Sequence, residues 1–113
     1  MSCLRIFILC HNRPDDAREA IRCVLAQTNP NYQLIISDNS TDDRVEYMIS
    51  HEFPSLNYVR RLPSVPALEH FNLCLEETID SHVCLFHDDD LLAPDFVETI
   101  KSTIDQYPDA IAI

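Results

Sequence analysis

Glycine is missing from this chain, although 113 residues of average composition would include about eight. Backbone turns that need a positive φ must then use Asn or Asp, which adopt this conformation at the lowest cost after glycine. Basic residues are also scarce, since eight Lys and Arg against 19 Asp and Glu give a formal net charge of −11. Without a basic cluster to follow a phosphate backbone, the composition argues against nucleic acid as a partner.

The sequence also lacks long apolar segments and paired cysteine motifs. The apolar run 6–10 is too short for a signal sequence or a membrane span, and no basic segment precedes it. Five cysteines are an odd number and form no C-x-x-C pair, which favours small buried hydrophobes in a reducing compartment over a disulfide or metal role. We therefore expect a cytoplasmic chain with no transmembrane segment.

Short apolar runs alternate with amphipathic segments along the chain. Strands are predicted at residues 4–10, 32–37, 56–60 and 82–86, and a fifth begins at Ala110. Helices are predicted at 14–27, around 45–49, from Leu68 with Phe71, Leu75 and Ile79 on its apolar face, and at 94–107. The alternation predicts one α/β domain over residues 1–113, a Rossmann-like layered sheet of mostly parallel strands with helices on both faces.

In such sheets ligands bind beyond the carboxyl ends of the strands, so the residues after each strand are the candidate site. They are His11 and Asn12, Asp38 and Asn39, Arg60 and Arg61, and His87 to Asp90. Each has a structural alternative. Asn12 suits the N-cap of the first helix, Asp38 suits a loop cap, and Arg60 balances local acidity or meets a phosphate.

Asp88, Asp89 and Asp90 form an acidic triplet directly after the fourth strand. Adjacent carboxylates raise one another's pKa unless a cation holds them, and a hard divalent metal does so well. In extended chain, Asp88 and Asp90 would point the same way and act together while Asp89 points elsewhere, whereas a turn would change this arrangement. The alternative is a solvated turn that leads into the fourth helix. Because the net charge repels a free diphosphate, a divalent cation is the expected mediator.

Four segments in order carry a family resemblance: residues 5–14, Ala26-Gln27-Thr28, residues 34–42 and residues 86–95. Together they resemble glycosyltransferase family 2, and Asn72 stands where that family has an Asn in its third helix. The likeness spans nearly the whole chain. It implies a GT-A fold that binds a nucleotide-diphosphate sugar, UDP-linked by expectation, with Mn²⁺ or Mg²⁺.

Carried over by position, the resemblance assigns the predicted site. Substrate-binding residues are Cys10, His11, Asn12, Asp38 and Asp88, to which the strand-end argument adds Arg60, and the metal-binding residues are Asp88, Asp89 and Asp90. The implied reaction is inverting transfer to a hydroxyl of an unidentified glycan, lipid or protein acceptor. The general base is expected beyond Ile113, so this chain is expected to be the nucleotide-binding half of a GT-A domain, truncated before its acceptor half, and to bind without transferring.

Two departures and two alternatives accompany this resemblance. His87 stands where many members have an Asp, and Leu9-Cys10-His11-Asn12 replaces Pro-Thr-Tyr-Asn after the first strand. A phosphoacceptor receiver domain would need an acidic pair after the first strand, where this chain has His11 and Asn12. A noncatalytic nucleotide- or protein-binding module with the same fold stays open from the sequence.

Overall fold

The structure is a computed structural model that describes residues 4–78 and 81–110. Along these ranges the elements are β1 (Leu4–Cys10), α1 (Pro14–Leu25), β2 (Gln33–Asp38), α2 (Arg44–Glu52), β3 (Asn57–Arg60), α3 (Ala67–Glu76), β4 (His82–His87) and α4 (Phe96–Gln106). The strands form one parallel sheet in the order β3-β2-β1-β4. The predicted α/β layered fold is confirmed. The predicted fifth strand falls mostly on residues 111–113, which lie outside the described residues.

Strand β1 is the central strand, and its apolar run is continuous because both faces are covered. Alternate side chains of a strand point to opposite faces. Accordingly Ile6 and Ile8 pack in a core with α1, α2 and α4, whereas Phe7 and Leu9 pack with Cys74 of α3. Helices therefore lie on both faces of the sheet, as predicted, and α3 stands alone on its side among the described helices.

The parallel register brings the carboxyl ends of the strands to one edge. Cys10 pairs with Asp38 on β2, Asp38 pairs with Arg60 on β3, and Leu9 pairs with His87 on β4. Two backbone hydrogen bonds continue this pairing past the strands, from Asn39 N–H to the carbonyl of Cys10 (2.9 Å) and from Asp88 N–H to that of Leu9 (3.0 Å). The predicted strand-end residues therefore share one edge of the molecule.

Helix α1 begins at Pro14, with Asp15 and Asp16 in its first turn beside the positive end of the helix dipole. The N-cap position is occupied by Arg13, not by Asn12. Asn12 instead adopts a φ of 57°, so an Asn makes the left-handed turn in this chain without glycine.

The buried face of α3 differs from the predicted one. Leu68 and Leu75 are 73% and 50% exposed, and the buried side chains of the helix are His70 and Cys74. Ile79, predicted on the same face, lies outside the described residues. No helix in the described parts of the chain has the length and apolar character needed to cross a bilayer.

Candidate functional site

A cleft of about 310 Å³ opens where the carboxyl ends of β1 and β4 meet the start of α3. Its lining residues are Leu9, Cys10, His11, Arg13, Ala67, His70, Phe71, His87, Asp88 and Asp89. The strand side of the cleft carries the charges of Arg13, Asp88 and Asp89. The α3 side contributes an aliphatic, an imidazole and an aromatic side chain. The cleft thus combines a charged wall with an uncharged one.

Asp88 joins the two strands at the charged wall. Its Oδ2 accepts a hydrogen bond from the His11 N–H at 3.0 Å, and the residue is only 6% exposed. Burial raises the pKa of Asp88, repulsion from Asp89 and Asp16 adds to this, and the His11 N–H and Arg13 oppose it. The ionised carboxylate is therefore held at an energetic cost, which a cation beside it would reduce.

The other two carboxylates of the triplet point in different directions. Asp89 forms an ion pair with Arg13 (Nη1 to Oδ2, 3.3 Å), whereas Asp90 turns back and accepts the His87 N–H at 3.0 Å. A hydrogen bond from Asp90 N–H to the His87 carbonyl (3.2 Å) closes this turn. The expected pairing of Asp88 with Asp90 is therefore wrong, because the chain leaves the extended conformation at Asp88. Asp88 and Asp89 are the two that line the cleft.

Each carboxylate of the triplet already has a donor in the fold, so the triplet does not need a metal to hold it together. Within residues 4–78 and 81–110, no three His, Cys, Asp or Glu side chains are grouped as a metal site. The side chains of Asp88 and Asp89 at the cleft can still supply one or two carboxylates. This is the number that Mg²⁺ commonly takes from a protein when phosphates and waters complete its shell.

Cys10 and His11 line the cleft where β1 ends. Burial raises the pKa of the Cys10 thiol well above its usual range, with Asp38 and Asp88 adding to the effect, so it stays protonated. His11 donates from Nδ1 to the carbonyl of Asn39 at 2.8 Å. That bond fixes the ring and, in the neutral form, leaves Nε2 as an acceptor.

Asp38, predicted to hold the nucleoside, is fully buried and does not line the cleft. Its Oδ1 accepts the Ser40 N–H at 3.0 Å, and its Oδ2 accepts the hydroxyl of Tyr58 at 2.6 Å. Burial, then the bond to Asp38, raises the pKa of Tyr58, so the phenol remains a donor. The carboxylate therefore orders the turn after β2 and anchors β3 to it.

Asn12 and Arg60, also predicted to contact substrate, shape loops outside the cleft. The Asn12 N–H donates to Ser40 Oγ at 2.9 Å, and its side chain accepts the Thr41 N–H at 2.9 Å. Arg60 is almost fully buried, with Nη1 2.7 Å from Asp43 Oδ1. Together these contacts tie the turn after β1 to the loop that precedes α2.

Arg13 and His70 are among the cleft residues that the predicted site did not include. Arg13 directly follows His11 and Asn12 in the sequence. The acidic triplet at the end of the adjacent strand was the available indication that a basic side chain would lie near it. His70 is buried against β2, with Nε2 2.7 Å from Ser37 Oγ. Burial lowers the pKa of His70 to about 4, and the Arg61 cation contributes, so the imidazole is neutral. Its spacing of four from Cys74 on the same helix was the available signal.

A parallel sheet with an acidic cleft at its carboxyl edge defines the class of α/β domains that bind ligands at a topological switch point. The order β3-β2-β1-β4 places that switch at β1, beside the cleft. The family profile described as "Glycosyl transferase family 2" matches residues 5–113. The chain belongs to this family.

Two relatives that are named as glycosyltransferases align with most of the chain. An uncharacterized glycosyltransferase of Rickettsia conorii is 34% identical over 97 residues, which cover 84% of this chain and 16% of that protein. One of Haemophilus influenzae is 26% identical over 105 residues, covering 93% of this chain and 35% of that protein. The chain therefore spans between one sixth and about one third of the length of these curated relatives.

Solved structures share the fold. The crystal structure of S. aureus TarS 1-349 in complex with UDP superimposes with a TM-score of 0.76 at 15% identity, covering 94% of this chain and 33% of that one. The complex of the same protein with UDP-GlcNAc gives a TM-score of 0.75 at 18% identity, covering 94% of this chain and 32% of that one. At these identities the likeness shows the fold, and the predicted GT-A architecture is confirmed.

Proposed function

We propose that this chain supplies the nucleotide-binding part of a glycosyltransferase that takes a sugar from a nucleoside diphosphate sugar, with UDP as the nucleotide. The observation that carries the proposal is the hydrogen bond between Asp88 and the His11 N–H, because it joins the ends of β1 and β4 into one acidic cleft. Two further findings support it: the family of the chain and the UDP and UDP-GlcNAc complexes of TarS, which has the same fold.

The two walls of the cleft suit the two parts of such a ligand. The uncharged wall, with Phe71 and the neutral His70, suits a nucleobase, which carries no charge and stacks on aromatic rings. The charged wall suits the diphosphate only with a mediating cation, since Asp88 and Asp89 would otherwise repel it. Arg13, paired with Asp89, is the cation of this chain that stands closest to that role.

We further propose that Mn²⁺ or Mg²⁺ binds together with the diphosphate and not before it. One or two carboxylates, from Asp88 and Asp89, fit the protein share of such a site, and Asp90 stays with the His87 N–H. When bound, the ion would neutralise charge on the leaving diphosphate. The chain itself orients the two carboxylates: the His11 N–H holds Asp88 in place, and Arg13 holds Asp89.

Asp38, Asn12 and Arg60 support the site through the loops they order. Their contacts run within the fold, from Asp38 to Ser40 and from Ser40 to Asn12. Inverting transfer to a hydroxyl of a glycan, lipid or protein is the proposed reaction of the whole protein. A cytoplasmic setting is proposed from the free thiols of Cys10, Cys23, Cys74 and Cys84.

Calorimetry with UDP, at fixed Mn²⁺ and in chelator, tests the function. We expect at least about tenfold tighter binding with metal, equivalent to roughly 1.4 kcal/mol. Asp89→Ala should remove most of that gain, and Asp105→Ala, a change of an exposed carboxylate in the last turn of α4, should leave it intact. Equal affinity in metal and in chelator would contradict the metal role, and no UDP binding in either condition would contradict the function.

A further inference from the structure

His70 stands apart from the rest of the cleft because its ring is anchored to a polar network that begins at the surface and ends at a buried hydroxyl. The network runs from Glu77 through Arg61 to Ser37, where Arg61 Nε donates to Ser37 Oγ at 3.1 Å. Ser37 Oγ then meets His70 Nε2 at 2.7 Å. Ser37 is fully buried and His70 is 4% exposed, so solvent does not satisfy these bonds.

The direction of the bond between Ser37 and His70 follows from counting donors. A serine hydroxyl has one hydrogen to donate, and a buried hydroxyl almost always finds an acceptor. The guanidinium of Arg61 only donates, so it takes a lone pair of Ser37 Oγ. Across the described ranges, the acceptor bonded to Ser37 Oγ is His70 Nε2. The hydroxyl therefore donates to Nε2, and in the neutral imidazole the proton must lie on Nδ1.

Nδ1 is the atom of this ring that remains available to a ligand. His70 lines the cleft, and no side-chain hydrogen bond of the described residues involves its Nδ1. Among the described residues, the side-chain nitrogen or oxygen that is fully buried without a partner is Arg60 Nε. Because Nδ1 of His70 also has no partner, it is not fully buried. The cleft wall formed by α3 thus displays one N–H donor whose tautomer is fixed from behind.

We propose that His70 is a specificity-determining residue, whose Nδ1–H donates a hydrogen bond to a carbonyl oxygen of the nucleobase. This inference rests on the proposed function, since it needs a nucleotide in the cleft. Both neighbours of His70 on the wall, Ala67 and Phe71, are apolar, so a base placed there meets one polar contact. A base with a carbonyl oxygen at that point accepts a hydrogen bond from Nδ1–H. A base with an amino group there places its own N–H donor against Nδ1–H and forms no hydrogen bond.

Nitrogen-detected NMR of the histidine rings tests the tautomer in the unmodified chain. We expect His70 to be neutral at pH 7 with the proton on Nδ1, the less common form of free imidazole, and its signals to shift when UDP is added. His51, exposed on α2, serves as the reference ring and should not shift. A proton on Nε2 of His70, or UDP binding without a shift of its ring, would overturn the inference.

Thio-substituted nucleotides test the ligand atom, because sulfur accepts hydrogen bonds poorly. We expect either 2-thio-UDP or 4-thio-UDP to bind the unmodified chain about three- to tenfold more weakly than UDP, the range expected for loss of one uncharged hydrogen bond. His70→Ala should abolish that difference, and His51→Ala should preserve it. Ser37→Ala, which frees the tautomer but keeps the ring, should reduce it, and Ser37→Thr, which restores the hydroxyl, should recover it.

The outcomes separate the inference from the function on which it rests. If UDP binds and both thio analogues bind equally well, or if the difference survives His70→Ala, the role of His70 is wrong while the proposed function stands. If the unmodified chain binds no nucleotide, the proposed function fails and this inference fails with it. Should His70→Ala not fold, the tautomer and the ring shifts of the unmodified chain decide the question.

Discussion

The two halves of the sheet edge behave differently although they look alike in sequence. In the β2–β3 half, Asp38 and Arg60 are buried and bonded to groups of the fold itself. In the β1–β4 half, Asp88 and Asp89 face a cleft, and Asp88 carries a raised pKa. Each half has a carboxylate just after an apolar strand. The difference shows that a position at a strand end does not by itself place a carboxylate in the cleft.

The largest expected effect separates the halves by stability. Asp38→Ala leaves the Tyr58 hydroxyl and the Ser40 N–H buried without an acceptor, which should lower the free energy of unfolding by about 2 to 4 kcal/mol. Asp89→Ala removes only an exposed ion pair with Arg13 and should change the free energy of unfolding by less than about 0.5 kcal/mol. Urea unfolding at pH 7.5 measures both. Equal losses in the two variants would remove the distinction between the halves.

A smaller effect concerns His70, which connects the halves because it bonds to β2 and lines the cleft. Its pKa of about 4 in the folded state lies below the ordinary value of about 6.5. The unfolded chain therefore binds the proton first, so stability is complete above pH 6.5 and falls as the pH drops from 6.5 to 4. Unfolding in urea across this window should reveal a loss of about 2 to 3 kcal/mol.

The control for this pH dependence is His70→Gln, which cannot titrate. Its stability should vary much less between pH 6.5 and 4 than that of the unmodified chain. Asp42 and Glu52, whose pKa values are lowered by Arg44 and Arg18, begin to lose their contributions at the acid end of this window. They do so in both proteins, so the difference between the two slopes reports His70. An unchanged slope in His70→Gln would assign the effect to other groups.

The smallest effect is a gain in stability at the cleft. Because burial raises the pKa of Asp88, its ionised form opposes folding above the ordinary carboxyl range, and Asp88→Asn removes that cost. We expect a gain in stability at pH 7.5 that is smaller than the loss predicted for His70 and that disappears near pH 3, where the carboxyl is protonated. Thermal unfolding at the two pH values measures it, with Asp105→Asn as the exposed control. A loss of stability at pH 7.5 would show that the ionised Asp88 stabilises the fold, as Asp38 does in the other half.

Strand β1 was predictable because its burial on both faces leaves an unambiguous apolar run. The predicted segment 4–10 coincides with β1, and 56–60 differs from β3 by one residue. The face of α3 was not predictable, since Leu68 and Leu75 outrank His70 and Cys74 in hydrophobicity. His70 is buried nonetheless because Ser37 on β2 provides a partner, and that pairing across 33 positions has no local signal.

Within the site, the edge was predictable and the orientation of each side chain was not. Asp38 is withdrawn from the cleft by Tyr58, 20 positions later, and Asp90 by a turn of its own backbone. The segment Ala26-Gln27-Thr28 likewise has a structural role. Gln27 accepts the Val97 N–H (2.9 Å) and donates to the Ala93 carbonyl (2.8 Å), which links α1 to the start of α4. A sequence pattern marks such residues as characteristic of the family. It does not distinguish those that stabilise the fold from those that would contact a ligand.

The central position of β1 also has a consequence for the order in which the chain acquires its shape. Among the described strands this one is synthesised first, and both of its parallel neighbours are synthesised later, β2 after α1 and β4 after α3. His11 and Asp88, which close the cleft, are separated by 77 positions. Contacts so distant in sequence form slowly and late. Until β4 is synthesised, the edge of β1 that pairs with it is unpaired in the nascent chain, and an unpaired strand edge is prone to wrong pairing.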